Sequence, residues 1–138
     1  MRTRRSLPVA LAGLAVVLCS QAAPAASRSG ALAGTYVNDV GTVTIKKTAS
    51  GFDVEISTSE PTRGVWACDF EGRGKLDGNG ALVVIYTPEA DRGTATVKLT
   101  ITLKRNILTV AETRSADIVD FCGYRGFLHG DYRRKAKR

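Results

Sequence analysis

Apolar and polar residues alternate in short runs from Gly34 towards the end of the chain, and this period of two limits the possible folds most strongly. In the clearest run, 96–104, one face carries Val97, Leu99, Ile101 and Leu103 while threonines and lysines fill the other. Such alternation is typical of a β-strand with one buried face, whereas the periodicity of an amphipathic helix is almost absent.

The alternating runs predict seven or eight short antiparallel strands joined by turns of two to eight residues. We expect them at 34–37, 42–46, 52–56, 65–71, 81–87, 96–104, 107–112 and 126–132. Because a sheet with one apolar face must be covered and its edges protected, the expected fold is a small all-β antiparallel barrel of about seven or eight strands. A two-sheet β-sandwich is the alternative.

The first residues have the pattern of an export signal. Arg2, Arg4 and Arg5 precede an apolar stretch at 7–19, and small residues at 23–25 predict cleavage after Ala25. The stretch is shorter than the roughly 20 apolar residues of a membrane-spanning helix, so an uncleaved anchor is the less favoured interpretation. We therefore predict a periplasmic protein, with secretion or cell-surface display as alternatives. The predicted divisions are a signal peptide at 1–25, a flexible lead-in at 26–33, a β-barrel domain at 34–132 and a flexible basic tail at 133–138.

Two cysteines remain once Cys19 leaves with the predicted signal. In an oxidising compartment, a pair such as Cys68 and Cys122 predicts a disulfide. Closing a loop of that length stabilises the fold by roughly 4 kcal/mol through the entropy of the unfolded chain. Trp66, two residues before Cys68, is expected to pack beside the sulfur atoms.

The formal net charge of +7 is concentrated at the two ends of the sequence. Between residues 26 and 132 there are 12 basic and 13 acidic residues, so a nucleic-acid partner is not expected. The predicted tail is a candidate contact for anionic envelope components, and its cations are Arg133, Arg134, Lys135, Lys137 and Arg138.

No set of residues predicts an enzyme, a cofactor or a metal site. The one histidine, His129, has no evident nucleophile beside it. The acid pairs Asp69 with Glu71 and Asp117 with Asp120 are interpreted as solvated side chains. Polar loops on a rigid β scaffold are better candidates for binding a protein partner. These candidate residues are Glu60, Arg63, Glu89, Asp91, Arg92, Tyr124 and Arg125.

The arrangement of cysteine, glycine and aromatic residues in the mature chain resembles that of small periplasmic β-barrel proteins grouped with bacterial lysozyme inhibitors. The resemblance lies in Gly34-Thr35-Tyr36, Trp66-x-Cys68, Cys122-Gly123 and Gly130-x-Tyr132-x-Arg134. It implies a barrel that places a loop in a lysozyme cleft and occupies its catalytic carboxylates. The Ser-Gly-x-x-Tyr motif and the Lys-Gly loop of the better-known inhibitors are missing, so no inhibitory residues are transferred from them.

We therefore expect an exported protein-binding module without a transmembrane span, most concretely an inhibitor of host lysozyme. Protection of peptidoglycan against a host enzyme would be a virulence function. The alternatives are a barrel that binds a small molecule or an envelope component, and a surface adhesin or antigen that acts through the basic tail.

Overall fold

A computed structural model describes residues 31–88 and 95–136, which form eight antiparallel strands. Their bounds are β1 Gly34–Val37, β2 Gly41–Lys47, β3 Phe52–Ser59, β4 Ala67–Leu76, β5 Leu82–Tyr86, β6 Val97–Lys104, β7 Ile107–Arg114 and β8 Gly130–Arg134. Each strand pairs with the next along the chain, and β8 pairs with β1. This last pairing closes the sheet into a barrel, so the predicted barrel is confirmed and the sandwich is excluded.

The predicted alternation fixes which side chains point inwards. On β3, for example, Phe52, Val54, Ile56 and Thr58 are buried while the residues between them are more exposed. The largest fully buried side chains of the described core are those of Tyr36, Tyr132 and Phe70. An eight-stranded barrel has an interior just wide enough for side chains, and here these aromatic and aliphatic groups occupy it.

Two inward-facing glycines allow β4 to bend across the core. A Cβ at Gly72 would lie 2.8 Å from both the Phe70 ring and the Val84 side chain. A Cβ at Gly74 would lie 2.7 Å from Leu82 and 2.8 Å from Val84. Both distances are shorter than atomic packing permits, so these positions admit no side chain. They leave room for the Phe70 ring inside the barrel.

The first residues of β4 have a neighbouring segment that the sequence did not predict. Only Gly74–Leu76 of β4 pairs with β5. Towards its start, β4 pairs instead with the segment around Cys122, through the hydrogen bonds from Asp69 N–H to the Phe121 carbonyl (2.9 Å) and from Gly123 N–H to the Ala67 carbonyl (2.8 Å). The predicted disulfide between Cys68 and Cys122 is confirmed and crosses this short pairing.

Aromatic rings fill the space between β4 and β5 where the two strands no longer pair. The Phe121 ring lies 5.1 Å from that of Phe70 and 5.2 Å from that of Tyr86, both edge to face. Such aromatic pairs add about 1 kcal/mol each beyond the area that they bury. The segment fixed by the disulfide therefore completes the barrel wall.

Described residues on both sides of the expected domain, 34–132, take part in the fold. Leu32, assigned to a flexible lead-in, is buried against the core, and its carbonyl accepts a hydrogen bond from the Tyr36 hydroxyl at 2.9 Å. Arg133 and Arg134, assigned to a flexible tail, are the last residues of β8. The Arg134 guanidinium lies 4.8 Å from the centre of the Tyr36 ring and donates hydrogen bonds to the Tyr36 hydroxyl and to the Ala31 and Ala33 carbonyls. Arg134 thus joins the first described residues to the last strand.

Within the residues that the structure describes, no helix has the length and apolar character needed to cross a membrane. The predicted cleavage site and residues 26–30 lie outside the described part of the chain.

Candidate functional site

An even number of antiparallel strands sorts the connections into two groups. The connections at 38–40, 60–66 and 115–129 lie at one end of the barrel, together with residues 87–88 and 95–96, and we call this the loop end. The turns at 48–51, 77–81 and 105–106 lie at the opposite end, together with the first and last described residues, and we call this the terminal end.

Four of the predicted binding residues, Glu60, Arg63, Tyr124 and Arg125, come together at the loop end, although more than fifty positions separate the two pairs. The other three, Glu89, Asp91 and Arg92, lie outside the described residues.

A rigid layer of contacts supports the loop end. The rings of Trp66 and Phe127 lie 4.8 Å apart, and the Phe127 ring stacks on that of His129 at 4.6 Å. The buried Thr58 hydroxyl donates to the Phe127 carbonyl at 2.8 Å. Trp66 lies directly before the strand that carries Cys68 and packs against Phe127.

A reverse turn at 123–126 presents exposed side chains at this end. The Gly126 N–H donates to the Gly123 carbonyl at 2.9 Å, which closes the turn directly after the disulfide. Tyr124 is 83% exposed, and the Arg125 guanidinium lies 5.4 Å from the centre of its ring. The turn therefore presents an aromatic ring and a cation side by side.

Arg125 has a φ of 64°, at the third position of the turn. A positive φ there is typical of a type II turn, in which glycine or asparagine is favoured because a Cβ clashes with the backbone. Another side chain costs about 1–2 kcal/mol in this conformation. Strained residues of this kind cluster at binding sites, so the turn is our leading candidate for a contact surface.

Glu60 has a structural role within its own loop. Its carboxylate accepts hydrogen bonds from the backbone N–H groups of Arg63, Thr62 (3.1 Å) and Gly64 (2.8 Å). These hydrogen bonds lower the pKa of Glu60, and the bond from the Arg63 N–H has the largest effect. Because the carboxylate is already engaged, Glu60 shapes the loop, while the exposed Arg63 side chain is the group available for contact.

A charged cluster beneath the turn was not predicted. The Glu112 side chain is 3% exposed, and its carboxylate accepts from the Arg114 Nε at 2.5 Å and from the Leu128 N–H at 2.9 Å. Arg114 also donates to the Gly126 carbonyl at 2.9 Å. His129 Nδ1 lies 3.5 Å from the same carboxylate. The cluster therefore joins β7 to the turn that carries Arg125.

The alternation on β7 contained a signal for this cluster. Leu108, Val110, Glu112 and Arg114 all occupy inward positions, but the predicted strand ended at Glu112. Extending the pattern by two residues would have placed a pair of opposite charges inside the mouth of the barrel.

Three apolar side chains are exposed around the turn. Val65 is 68% exposed, Ile118 is 70% exposed, and Tyr124 is the most exposed large hydrophobic residue of the described chain. A cavity of about 530 Å³ adjoins the turn, with Ile118, Tyr124 and Arg125 in its lining. An apolar surface with an arginine and a tyrosine at its edge has the composition of a protein-binding site.

In each predicted acid pair, one carboxylate accepts a hydrogen bond from a neighbouring hydroxyl group. Asp69 accepts a hydrogen bond from the Ser57 hydroxyl at 2.7 Å, and Asp120 accepts one from the Tyr86 hydroxyl at 2.5 Å. In the described part of the chain, no group of three or more His, Cys, Asp or Glu side chains has the arrangement of a metal site.

Of the predicted tail contacts, Arg133 and Lys135 are exposed, whereas Arg134 is engaged with Tyr36. Lys137 and Arg138 lie outside the described residues.

The chain matches no family model, no curated protein and no solved structure.

Proposed function

We propose that the protein is an exported inhibitor that binds a lysozyme through the loop end and blocks its substrate cleft. The observation that carries the proposal is the turn at 123–126, where Tyr124 and Arg125 project from a segment held by the disulfide. Inhibitors that act by occupying a cleft need a rigid projecting element, because ordering a flexible loop on binding reduces affinity.

The chemistry of the turn suits a cleft that contains carboxylates. A lysozyme cleaves its substrate with a pair of acidic residues. The Arg125 guanidinium can form paired, charge-assisted hydrogen bonds to such a carboxylate. Tyr124 adds a large contact area with little conformational freedom to lose, and Arg63 supplies a second cation on the neighbouring loop.

The alternatives have less support. Binding of a small molecule inside the barrel would need space that Tyr36, Phe70 and Tyr132 occupy. Adhesion through the tail would have to rely on fewer free cations than the sequence suggested, because Arg134 is engaged within the fold.

The test is hydrolysis of a peptidoglycan suspension by animal-type, goose-type and invertebrate-type lysozymes, with and without the oxidised protein. We expect inhibition of one type at a near-stoichiometric ratio. Tyr124→Ala or Arg125→Ala should each weaken it roughly thirtyfold, the effect of losing a contact worth about 2 kcal/mol. Lys104→Ala, at the opposite end, is the matched control and should leave inhibition unchanged.

Undiminished activity of all three lysozymes would refute the proposal. Inhibition that Lys104→Ala abolished, and the turn variants did not, would move the contact to the other end of the barrel.

A further inference from the structure

The terminal end of the barrel collects cations that are scattered in the sequence. The strand ends and turns here carry basic residues on β2, β4, β6, β8 and the β6–β7 turn. They are Lys46, Lys47, Lys75, Lys104, Arg105, Arg133, Arg134 and Lys135. Asp53 and Asp77 are the described acids within two residues of the same turns or chain ends. The net charge of residues 26–132 is close to zero, but the cations are concentrated at one end of the barrel axis.

At least three of these cations are available to a partner. Lys46 is paired with Glu55 at 2.7 Å, and Arg134 is used within the fold. In contrast, Lys75, Lys104 and Lys135 are exposed, and the structure shows none of them in an ion pair with another described residue. A surface with this excess of positive charge requires an anionic partner.

An apolar groove adjoins the cations. It has a volume of about 520 Å³ on the outer face of β3, β4 and β5, and its lining includes Leu76, Val83 and Ile85 together with Lys75 and Arg73. Ile85 is 63% exposed. Apolar side chains beside cations match the interface of a lipid bilayer, where phosphate groups lie next to hydrocarbon.

A nucleic acid is a poorer match for the same surface. Single-stranded nucleic acids are bound by cations together with exposed aromatic rings on which bases stack. At the terminal end Tyr36, Phe52 and Tyr132 are buried, and the most exposed aromatic ring of the described chain, Tyr124, lies at the other end.

The course of the chain favours the same partner. Ala31 and Ala136, the first and last described residues, both lie at the terminal end. The predicted mature chain, which begins at Ala26, therefore enters the barrel beside the cations. The last two cations of the sequence, Lys137 and Arg138, follow directly after Ala136.

We propose that the terminal end is a docking surface for an anionic phospholipid bilayer, which orients the barrel with its loop end facing away from the membrane. The cations contact lipid phosphates, and Val83, which pairs with Lys75 across β4 and β5, contacts the interface between head groups and hydrocarbon. This inference does not depend on the proposed lysozyme inhibition, because it concerns the opposite end of the molecule.

The test is binding of the oxidised chain from Ala26 onward, which contains all eight strands, to phosphatidylcholine vesicles with and without phosphatidylglycerol. We expect sedimentation only with the anionic vesicles, and weaker binding as salt increases. Each cation close to an anionic surface contributes about fivefold to affinity, so removing three should weaken binding roughly a hundredfold.

Two matched variants separate the terminal end from a general effect of charge. The first removes three cations of the terminal end: Lys75→Gln, Lys104→Gln and Lys135→Gln. The second removes three cations nearer the loop end: Arg63→Gln, Lys98→Gln and Arg125→Gln. Circular dichroism establishes that both variants are folded. A loss of vesicle binding confined to the first variant supports the proposal.

Three results would overturn it. They are no binding to anionic vesicles at low salt, equal losses in the two variants, and tighter binding to a single-stranded oligonucleotide than to the vesicles. Lysozyme inhibition is measured on the same proteins. Loss of vesicle binding at the terminal end is thereby distinguished from loss of inhibition at the loop end.

Discussion

Replacing Arg125 by glycine should stabilise the protein and at the same time weaken its binding to a partner. Most substitutions of a contact residue leave stability unchanged or lower it. Arg125 differs because its φ of 64° lies where a side chain is disfavoured and glycine is not. The two effects of the substitution therefore have opposite signs, which makes the prediction specific.

The magnitude follows from three contributions. Relief of the left-handed conformation is worth about 1–2 kcal/mol. Glycine loses more backbone entropy on folding, which returns about 0.5–1 kcal/mol. Loss of the exposed contact between the guanidinium and the Tyr124 ring costs about 0.5 kcal/mol. At their central values these contributions give a net gain in the free energy of unfolding of roughly 0.3 kcal/mol, or about 1–2 °C in Tm for a domain of this size.

The comparison with alanine isolates the backbone contribution. Arg125→Ala loses the same ring contact but keeps the Cβ, so Arg125→Gly should be more stable than Arg125→Ala by roughly 0.5–1 kcal/mol. At Tyr124, where φ is not positive, the order should reverse and Tyr124→Ala should be more stable than Tyr124→Gly. Urea unfolding followed by Trp66 fluorescence measures all four variants.

Inhibition assays on the same proteins complete the test. Both Arg125 variants should lose inhibition to a similar extent, although one is more stable than the other. Arg105, which also has a positive φ of 57° but lies at the terminal end, provides the control. Arg105→Gly should stabilise the protein without affecting inhibition. If Arg125→Gly proved less stable than Arg125→Ala, the argument from backbone strain would be refuted.

Two further predictions concern stability. Glu112→Ala should lower the free energy of unfolding by about 3 kcal/mol, because the Arg114 charge and the Leu128 N–H would lose their shared partner in a buried site. The exposed Glu71→Ala is the control in the same urea titration and should change stability by less than about 0.5 kcal/mol; equal effects would show that the cluster contributes little. Burial raises the pKa of Tyr132 to about 12, against 10.0 in the unfolded chain, so the unfolded state loses this proton first. Stability should therefore fall as pH rises from 10 towards 12, by about 3 kcal/mol in total. Tyr132→Phe should show a shallower decline in alkaline unfolding experiments, and a decline as steep as that of the natural protein would contradict this origin.

The strands that the sequence predicted well are those whose alternation is complete. The run at 96–104 gave β6 to within one residue, and Asp77–Gly80 gave the turn before β5 because its side-chain and backbone hydrogen bonds are local. The disulfide was also predictable, since the loss of Cys19 with the predicted signal would leave two cysteines and one intramolecular pairing.

The connection at 115–129 was predicted poorly because its structure depends on distant partners. Its backbone pairs with the start of β4, and its Gly126 carbonyl is held by Arg114. Neither contact leaves a periodic pattern in the local sequence. For the same reason β8 begins at Gly130 and continues through Arg134, four residues later than the predicted start and two beyond the predicted end.

The sequence by itself determined that this chain forms strands with one apolar face, that those strands need closure, and that one disulfide joins the middle of the chain to its end. These properties follow from the order of side chains along each strand. Only the tertiary structure decided which residues meet, because the even number of strands alternates the connections between two ends. That alternation brings Arg63 to the same end as Arg125 and separates both from the cations beside Lys104. The barrel sequence has a net charge close to zero, yet the folded molecule has two chemically different ends.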